Sequence, residues 1–323
     1  MDIDQASKKC QAVVDEVGRF IVGKQGAVEQ VMISLVARGH ILFEDFPGLA
    51  KTMLTKLFAQ AIGAEFRRVQ FTPDLLPADI TGAYIFDLKN QEFVLRRGPI
   101  FAQLVLADEI NRAPPKTQSA LLEAMAEYQV TIEGQTFPLE PPFWVVGTQN
   151  PIELEGTFGL PEAQMDRFMV RLRMGYPTEE EETHILLNRI DRQTDEMVIS
   201  QPVITPTEMV AIQRLLEDVT IVPDLLQYIT RIVHATRSHP KLEIGVSPRG
   251  SLALLNLSRA SALYHGRDYV TPEDIKAFAI PALAHRVILK TGEWLGGMAA
   301  EGIIEDVLAK VVAPRKDIEL KAR

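Results

Sequence analysis

The sequence predicts an α/β fold in which a mostly parallel, five-stranded sheet lies between helices and is followed by an all-helical domain. Five short apolar runs alternate with helical patterns in the first half of the chain, at residues 41–43, 68–71, 104–107, 143–148 and 168–172. Short, largely apolar runs of this kind are typical of parallel strands that are buried on both faces. After Gly-Tyr-Pro at residues 175–177, no further strand is predicted.

The chain length favours two domains. At 323 residues the chain exceeds the usual size of one compact domain. We predict an αβα core over residues 1–176 and a helical domain over residues 177–323. Thr178 and Glu181 form a capping-box pattern, so the acidic run that follows Thr178 is interpreted as a helix start rather than a metal site.

A second helix start is predicted near the end of the chain. Thr271 precedes a proline and two acidic residues, a pattern typical of an N-cap followed by the first helical turn. In the core, residues 117–128 carry apolar side chains at helical spacing and predict another helix.

Composition excludes several classes of function. The formal net charge of −9 argues against a protein that binds nucleic acid through a basic surface. Cys10 is the single cysteine, so neither an intrachain disulfide nor a cysteine metal site is possible, and we expect Cys10 to be buried. No apolar run approaches the roughly 20 residues of a membrane span, and the polar N-terminus is unlike a signal peptide. We therefore expect a cytoplasmic protein with no membrane span and no nucleic-acid partner.

The first chemical signal is a strand, a tight loop and a Lys-Thr pair that opens a helix. Backbone N–H groups of such a loop face phosphates, Lys51 would reach the β and γ oxygens, and the Thr52 hydroxyl would ligate Mg²⁺. The match to the strict phosphate-loop pattern is imperfect, because Asp45 and Ala50 stand where that pattern has glycines, leaving Gly48 to supply backbone freedom. Alone, the segment also fits an ordinary strand-to-helix connection.

The second signal is an apolar strand that ends in two adjacent carboxylates, Asp108 and Glu109. Asp108 would hold the Mg²⁺ shell and Glu109 would polarise a water for attack on the γ-phosphate. Together the two signals predict an ATPase that uses ATP and Mg²⁺.

Asn150 follows the next apolar strand. If that strand lies between the two described above, Asn150 would sit beside the γ-phosphate and orient the attacking water. The alternative is a simple Asn-Pro turn.

Five segments together resemble the MoxR family of AAA+ ATPases: residues 44–52 (EDFPGLAKT), 71–82 (FTPDLLPADITG), 108–113 (DEINRA), 147–151 (GTQNP) and 160–168 (LPEAQMDRF). The resemblance covers nearly the whole chain. It implies an AAA+ αβα P-loop core with a C-terminal helical lid, Walker A at Lys51 and Thr52, Walker B at Asp108 and Glu109, and sensor 1 at Asn150.

The resemblance also assigns two arginines. It implies that Arg167 is an arginine finger reaching a neighbour's γ-phosphate and that Arg249 is sensor 2 on the lid, acting on its own or a neighbouring nucleotide. Without the family, each would be interpreted as a surface ion-pair partner. The expected catalytic residues are thus Glu109, Asn150, Arg167 and Arg249. The residues expected to contact the nucleotide are Val22, Gly23, Pro47, Gly48, Leu49, Ala50, Lys51, Thr52, Met53 and Asp108, with Thr52 and Asp108 as Mg²⁺ ligands.

Three further segments have more open interpretations. Residues 81–98 and 130–137 are predicted to form hairpins, similar to inserts of the helix-2-insert clade, that engage a partner; they also fit ordinary hairpins that cover the sheet. Residues 20–25 resemble the stretch that packs against adenine. Arg112 would either touch a neighbour's nucleotide or brace the loop after Walker B.

The resemblance implies an ATP-driven, hexameric homo-oligomer that remodels or matures a client protein, with a partner that carries a von Willebrand factor A domain. Two alternatives remain open at this stage. One is a magnesium chelatase-like or DNA-translocating motor of the same clade, and the other is a nucleotide-sensing scaffold with little turnover.

Overall fold

The computed structural model describes residues 1–150, 158–194, 196–292 and 299–314. In chain order the strands are β1 (Ile41–Glu44), β2 (Phe66–Gln70), β3 (Gly82–Asp87), β4 (Glu92–Arg97), β5 (Leu104–Asp108), β6 (Gln129–Ile132), β7 (Gln135–Pro138), β8 (Trp144–Gln149), β9 (Val170–Leu172), β10 (Leu242–Ile244) and β11 (Ile288–Leu289). The α-helices are α1 (Ile3–Gly18), α2 (Gln25–Val36), α3 (Lys51–Ile62), α4 (Pro77–Thr81), α5 (Pro115–Glu127), α6 (Glu162–Met165), α7 (Glu179–Arg192), α8 (Pro206–Arg214), α9 (Pro223–Arg237), α10 (Pro248–Tyr264), α11 (Pro272–Leu283) and α12 (Ala300–Lys310). Short 3₁₀ turns lie at Pro99–Phe101, Ile110–Arg112, Leu215–Asp218 and Ala284–Arg286.

The main sheet is parallel, with strand order β2-β5-β8-β1-β9. All five predicted strands are present, within one or two residues of the expected ends, so the predicted fold class is confirmed. Strand β8 lies between β5 and β1, which was the condition for bringing Asn150 beside the phosphate loop.

Alternate side chains of the central strands enter two separate cores. Ile41 and Phe43 of β1 join one cluster with α1, α2, α3 and the C-terminal helices, whereas Leu42 joins the other cluster with α5. Successive residues of a strand point to opposite faces, so continuous apolar strands need helices on both sides. This burial fixes the sheet edge at which the chemical residues emerge.

The C-terminal part is helical, as predicted, and both expected caps are present. Thr178 caps α7 with the reciprocal capping-box bonds to Glu181. Thr271 is the N-cap residue of α11, and its backbone N–H and hydroxyl donate to Asp274 Oδ2. One detail was missed: β10 and β11 form an antiparallel pair within this helical region. Strands of three and two residues are too short to show a periodic pattern, and Ile244 is 54% exposed.

The N-terminal helix joins the two halves of the molecule. Ser7 Oγ donates a hydrogen bond to the Tyr264 carbonyl at 2.6 Å, and Lys9 forms an ion pair with Glu208 at 2.9 Å. Cys10, on the same helix, is fully buried, as expected. No helix in the described ranges is long and apolar enough to cross a membrane.

An ion network links the end of β1 to α12. Glu44 contacts Arg171 at 3.1 Å and Arg173 at 2.9 Å, and Glu301 contacts the same two arginines at 2.8 and 3.2 Å. Arg171 is mostly shielded from solvent, with 14% of its side chain exposed. The last described helix is therefore tied to the strand that leads into the phosphate loop.

Candidate functional site

The loop between β1 and α3 has the shape of an anion cradle. Gly48 and Ala50 both have positive φ, at 83° and 57°, and Ala50 is the N-cap of α3. Ala50 therefore takes a conformation that usually favours glycine, while it keeps the backbone N–H that a phosphate needs. The first-turn N–H groups of the 12-residue α3 face the cleft and favour negative charge there.

Lys51 is the cation of this cradle. It is 9% exposed, and its Nζ donates to the Asp45 carbonyl oxygen at 2.7 Å. Burial lowers the pKa of Lys51 below its usual value, against the opposing effect of Asp45, Asp108 and Glu109. A buried ammonium with one backbone acceptor has donors left for an anion in the cleft.

Asp45, the odd residue of the loop, has a structural role that the sequence did not reveal. Its side chain is buried, and Oδ2 accepts backbone hydrogen bonds from Met174 and from Gly175, the latter at 3.3 Å. These two residues lie between β9 and α7. The carboxylate therefore fastens the phosphate loop to the start of the C-terminal helices.

Thr148 aligns the two carboxylates at the end of β5. Its Oγ1 donates to Asp108 Oδ1 at 2.5 Å and accepts the Glu109 N–H at 2.8 Å. Glu109 itself has a φ of 55°, which turns the chain away from the strand direction directly after Asp108. Adjacent carboxylates thus take different orientations, as separate roles in metal binding and water activation require.

Neighbouring side chains hold both carboxylates in place. Arg68 contacts Asp108 Oδ2 at 2.7 Å, while Gln70 and Arg112 donate to Glu109 Oε2 at 2.8 and 2.9 Å. Arg68 and Gln70 were missed because only the strand order places β2 beside β5. Of the two interpretations given for Arg112, this contact supports bracing of Glu109.

Most predicted phosphate-site residues line one cavity of about 560 Å³. Its predicted lining residues are Pro47, Gly48, Leu49, Ala50, Lys51, Thr52, Met53, Asp108, Glu109 and Asn150. Lys56, Thr148 and Gln149 complete the lining and were not predicted. Pro151, the last residue of the predicted Asn-Pro motif, lies outside the described residues. The volume is in the range of ligand sites, and Thr52 and Asp108 line the same space, so the residue types present fit Mg²⁺ with a triphosphate.

A second, smaller cavity of about 140 Å³ adjoins the first and shares Gly48, Leu49 and Ala50 with it. Phe20, Ile21, Val22 and Lys24 form one wall, and Ile185, Asn188 and Arg192 of α7 form another. The predicted residue Gly23 is not in the lining. A Cβ at Gly23 would lie 2.0 Å from Glu181 Cδ, so this glycine allows α7 to approach closely. An apolar pocket beside a phosphate cradle suits a nucleotide base.

The two predicted arginines are brought together, but not at the phosphate cavity. Arg167 and Arg249 line a separate depression, where Arg167 Nη1 donates to the Leu122 carbonyl. Asp166 accepts from Arg286 Nε at 2.7 Å and lies 3.9 Å from Arg249 Nε. We call the surface formed by Asp166, Arg167, Arg249 and Leu252 the arginine face. Asp166 and Arg286 were not predicted, since their contact joins residues 120 positions apart.

Comparisons with known proteins identify the family of the chain. A profile for the ATPase family associated with various cellular activities (AAA) matches residues 40–170, and one for an AAA lid domain matches residues 234–307. The chain is 40% identical to Chaperone MoxR1 of Mycobacterium tuberculosis, over 94% of this chain and 82% of that protein. This chain belongs to the MoxR family of AAA+ ATPases.

Further MoxR-family similarity spans most of the chain. Protein MoxR of Methylorubrum extorquens is 29% identical over 93% of each chain. The uncharacterized protein YeaC of Bacillus subtilis is 46% identical, also over 93% of each chain. A crystal structure of a Cytophaga hutchinsonii protein, proposed to be an ATPase, superimposes with a TM-score of 0.89 at 39% identity and covers 96% of each chain.

Proposed function

We propose that this MoxR-family protein hydrolyses Mg²⁺-ATP at a site shared between two copies of the chain and uses the resulting movement to remodel a client protein. One observation carries the shared site. Lys51, Asp108 and Glu109 line the phosphate cavity, whereas Arg167 and Arg249 lie together on another surface. Because neither arginine lines the phosphate cavity of its own chain, we propose that Arg167 and Arg249 both contact the γ-phosphate bound by the adjacent subunit.

The cleft residues divide the work of binding. Lys51 and the N–H groups of α3 hold the β- and γ-phosphates, and the base occupies the pocket beside Val22. Thr52 and Asp108 supply oxygen ligands for Mg²⁺. When bound, this ion neutralises charge on the β- and γ-oxygens.

Hydrolysis needs a positioned water and a charge clamp. Glu109 accepts a proton from the attacking water, and the water oxygen forms a bond to the γ-phosphorus. At the same time, the bond between that phosphorus and the β–γ bridging oxygen breaks. Asn150 orients the water. Arg167 and Arg249 of the adjacent subunit stabilise the charge that spreads over the phosphoryl oxygens, a task suited to planar guanidinium groups.

We further propose a two-domain chain that assembles into a ring. We place the domain boundary between residues 176 and 177, because the main sheet ends before it and helices predominate after it. The ring would contain six copies, work in the cytoplasm and pair with a protein that carries a von Willebrand factor A domain. The family membership of the chain supports this assignment, and the name Chaperone MoxR1 of a relative supports the remodelling role.

The hairpins support contact with a client. The β3–β4 hairpin exposes large apolar side chains near its tip, namely Ile85, Phe86, Leu88 and Phe93, with Leu88 84% exposed. Tyr84 Oη donates to Gln135 Oε1 at 2.8 Å, which joins this hairpin to the β6–β7 hairpin. Two hairpins that are hydrogen-bonded to each other and carry exposed apolar side chains form a surface suited to binding a client protein.

A subunit-mixing assay tests the shared site. Lys51→Ala and Arg167→Ala proteins, each inactive alone, are mixed in equal amounts and the ATPase rate is measured. Random mixing should restore about one quarter of the wild-type rate, because that share of interfaces joins an intact Lys51 to an intact Arg167. No recovery, although native mass spectrometry shows mixed rings, would refute the shared site.

A control mixture tests whether mixing two inactive variants restores activity by itself. Lys51→Ala mixed with Glu109→Gln should stay inactive, because both changes affect the same cleft and no interface becomes complete.

Binding of labelled ATP without hydrolysis by the wild-type ring, with a partner present, would instead favour a nucleotide-sensing scaffold.

A further inference from the structure

Arg286 is a buried arginine that follows α11 and lies behind the arginine face. Its side chain is 3% exposed, so it is shielded from any ligand bound by another subunit. An arginine carries its N–H donors in a planar fork, and in a buried site these donors need acceptors within the protein. The acceptors of Arg286 therefore show which part of the molecule it holds.

Arg286 binds the segment that carries Arg167. Its Nε donates to Asp166 Oδ1 at 2.7 Å. Its two Nη groups donate to backbone carbonyls, namely those of Asp166 at 3.1 Å, Phe168 at 2.7 Å, Met169 at 3.1 Å and Ala282. One guanidinium thus holds the backbone on both sides of Arg167.

This segment depends on contacts from outside itself. Residues 166–169 connect α6 to β9 and belong to neither element. Buried carbonyls outside helices and sheets need donors from other parts of the chain, and here Arg286 supplies them. The Arg167 side chain donates to the Leu122 carbonyl. The backbone position of Arg167, a residue of the core, is therefore set by a residue that belongs to the C-terminal helices.

Asp166 extends the link from Arg286 to Arg249. While Asp166 Oδ1 accepts from Arg286, its Oδ2 accepts from Ser247 Oγ at 3.1 Å. Ser247 is the N-cap of α10, and its hydroxyl oxygen accepts the Arg249 N–H at 3.2 Å. One carboxylate therefore fixes Arg286 relative to the helix start that carries Arg249.

The chemistry of this contact favours orientation over stability. A buried ion pair loses the hydration of both charges, so apolar side chains of similar size often stabilise a fold equally well. A guanidinium in a fork of acceptors gives fixed directions, which apolar packing does not. Residues that must meet a phosphate at a defined angle need such directions.

We propose that Arg286 is a positioning residue for ATP hydrolysis, which orients Arg167 directly and Arg249 through Asp166. The inference rests on the proposed shared site and names the residue that holds its two arginines in place. Because Arg286 belongs to the C-terminal helices, a movement of these helices relative to the core changes how both arginines are presented to the adjacent subunit.

The first test is Arg286→Lys. Lysine keeps the charge but carries its donors on a single nitrogen, so it cannot bind the carboxylate and the carbonyls in the same directions. We expect kcat to fall about tenfold or more, while KM for ATP stays unchanged. The affinity of dilute protein for fluorescent ATP should also be unchanged, because the phosphate cavity is intact.

Arg267→Lys is the matched control. Arg267 forms an ion pair with Asp274 at 2.8 Å, at the opposite end of α11, and also donates to a backbone carbonyl, that of Tyr269, at 3.1 Å. The same substitution there disturbs the same helix without affecting the arginine face, so kcat should equal that of the wild type. An equal loss of kcat in both variants would assign the effect to general loosening of the helices and overturn the inference.

Subunit mixing shows in which subunit the defect acts. In an equal mixture with Lys51→Ala, about one quarter of the interfaces join the intact cleft of Arg286→Lys to an intact arginine face, so the rate should rise to about one quarter of the wild-type rate. In an equal mixture with Arg167→Ala, the rate should fall to about half that of Arg286→Lys alone. No rise with Lys51→Ala, although native mass spectrometry shows mixed rings, would overturn the inference.

A second variant covers the case in which circular dichroism shows that Arg286→Lys does not fold. Ser247→Gly removes the hydroxyl that binds Asp166, and it keeps most of the helix-capping stability because glycine is also accepted as an N-cap. It should lower kcat about threefold, as expected for one hydrogen bond, and recover in the mixture with Lys51→Ala. An unchanged kcat would contradict the link through Asp166.

Failure of the proposed function gives a different result. A wild type that never hydrolyses ATP, or a mixture of Lys51→Ala with Arg167→Ala that stays inactive, would refute the shared site and the inference with it. A normal kcat in Arg286→Lys, beside an active wild type, would refute the inference alone.

Discussion

The phosphate cavity and the arginine face both contain several charged side chains, but these side chains differ in how they are paired. In the cavity, Asp108 and Glu109 are paired with Arg68 and Arg112, and Lys51 is bonded to a carbonyl of its own loop. On the arginine face, the Arg249 side chain is 56% exposed, and its Nε lies 3.9 Å from Asp166 Oδ2. The charged side chains of the cavity are thus paired within the chain, whereas Arg249 is largely exposed.

We therefore expect ATP binding to depend on the cavity, and the rate of ATP hydrolysis to depend on the arginine face as well. Variants of the cavity should act in the subunit that carries them, and variants of the arginine face should act in the adjacent subunit. The following experiments test that separation, beginning with the largest expected effect.

Lys51→Ala should greatly weaken nucleotide binding. Removing the buried cation from the phosphates should weaken the affinity for ATP by about a hundredfold or more, as charge-assisted contacts to phosphate are strong. Titration with fluorescent ATP measures this. Arg167→Ala is the matched control and should bind ATP like the wild type at monomer concentrations. Equal loss of affinity in both would remove the distinction between the two regions.

Glu109→Gln should separate binding from chemistry within the cavity. The amide keeps the side-chain shape but cannot take a proton from water, so the hydrolysis rate should fall by roughly 10² to 10⁴ while ATP stays bound. Single-turnover hydrolysis and equilibrium binding give the two values. A variant that hydrolyses at the wild-type rate would show that another residue activates the water.

Asp166→Asn should weaken the arginine face without touching the cavity. Asp166 accepts from Arg286 and Ser247 and faces Arg249, so its loss should misplace the arginines and lower kcat about tenfold, with ATP affinity unchanged. In mixing assays, Asp166→Asn should complement Lys51→Ala as Arg167→Ala does. Failure to complement, with normal folding by circular dichroism, would place its effect in its own subunit.

Acidification should destabilise the support of the arginine face. Buried His40 accepts the Val145 N–H through Nδ1 and donates from Nε2 to Met125, which lines that face. Burial lowers the pKa of His40 to about 4 from an ordinary value of 6.5. The unfolded chain therefore binds the extra proton first, and stability is lost as pH falls from 6.5 towards 4.

At pH 5 this loss should reach about 2 kcal/mol relative to neutral pH. Urea unfolding at both pH values measures it, and His40→Gln, which cannot titrate, should lose less stability over the same range. Equal pH dependence in the two proteins would contradict the assignment to His40.

The cavity could be predicted from sequence because each of its parts is local. Lys51 and Thr52 follow a strand and a loop, and Asp108 and Glu109 end another strand, so chemistry and spacing are visible together. The supporting residues are not local. Thr148 was visible only as a strand residue, and its contacts with Asp108 and Glu109 depend on β8 lying next to β5.

The arginine face shows the limit of this approach. Asp166 and Arg286 are joined only by the packing of the C-terminal helices against the core. The β10–β11 pair was overlooked for a different reason, because strands of two or three residues carry no periodicity.

Asp45 has a consequence for the engineering of this protein. The strict phosphate-loop pattern has glycine at this position, so consensus design would choose Asp45→Gly. That change would improve the motif and remove the carboxylate that accepts the Met174 and Gly175 N–H groups. The redesigned loop would still cradle phosphates, but its direct link to the chain segment entering α7 would be lost. The residue that departs from the motif is thus the one that links the phosphate loop to the segment entering α7, so similarity to the consensus does not show which residue serves best at this position.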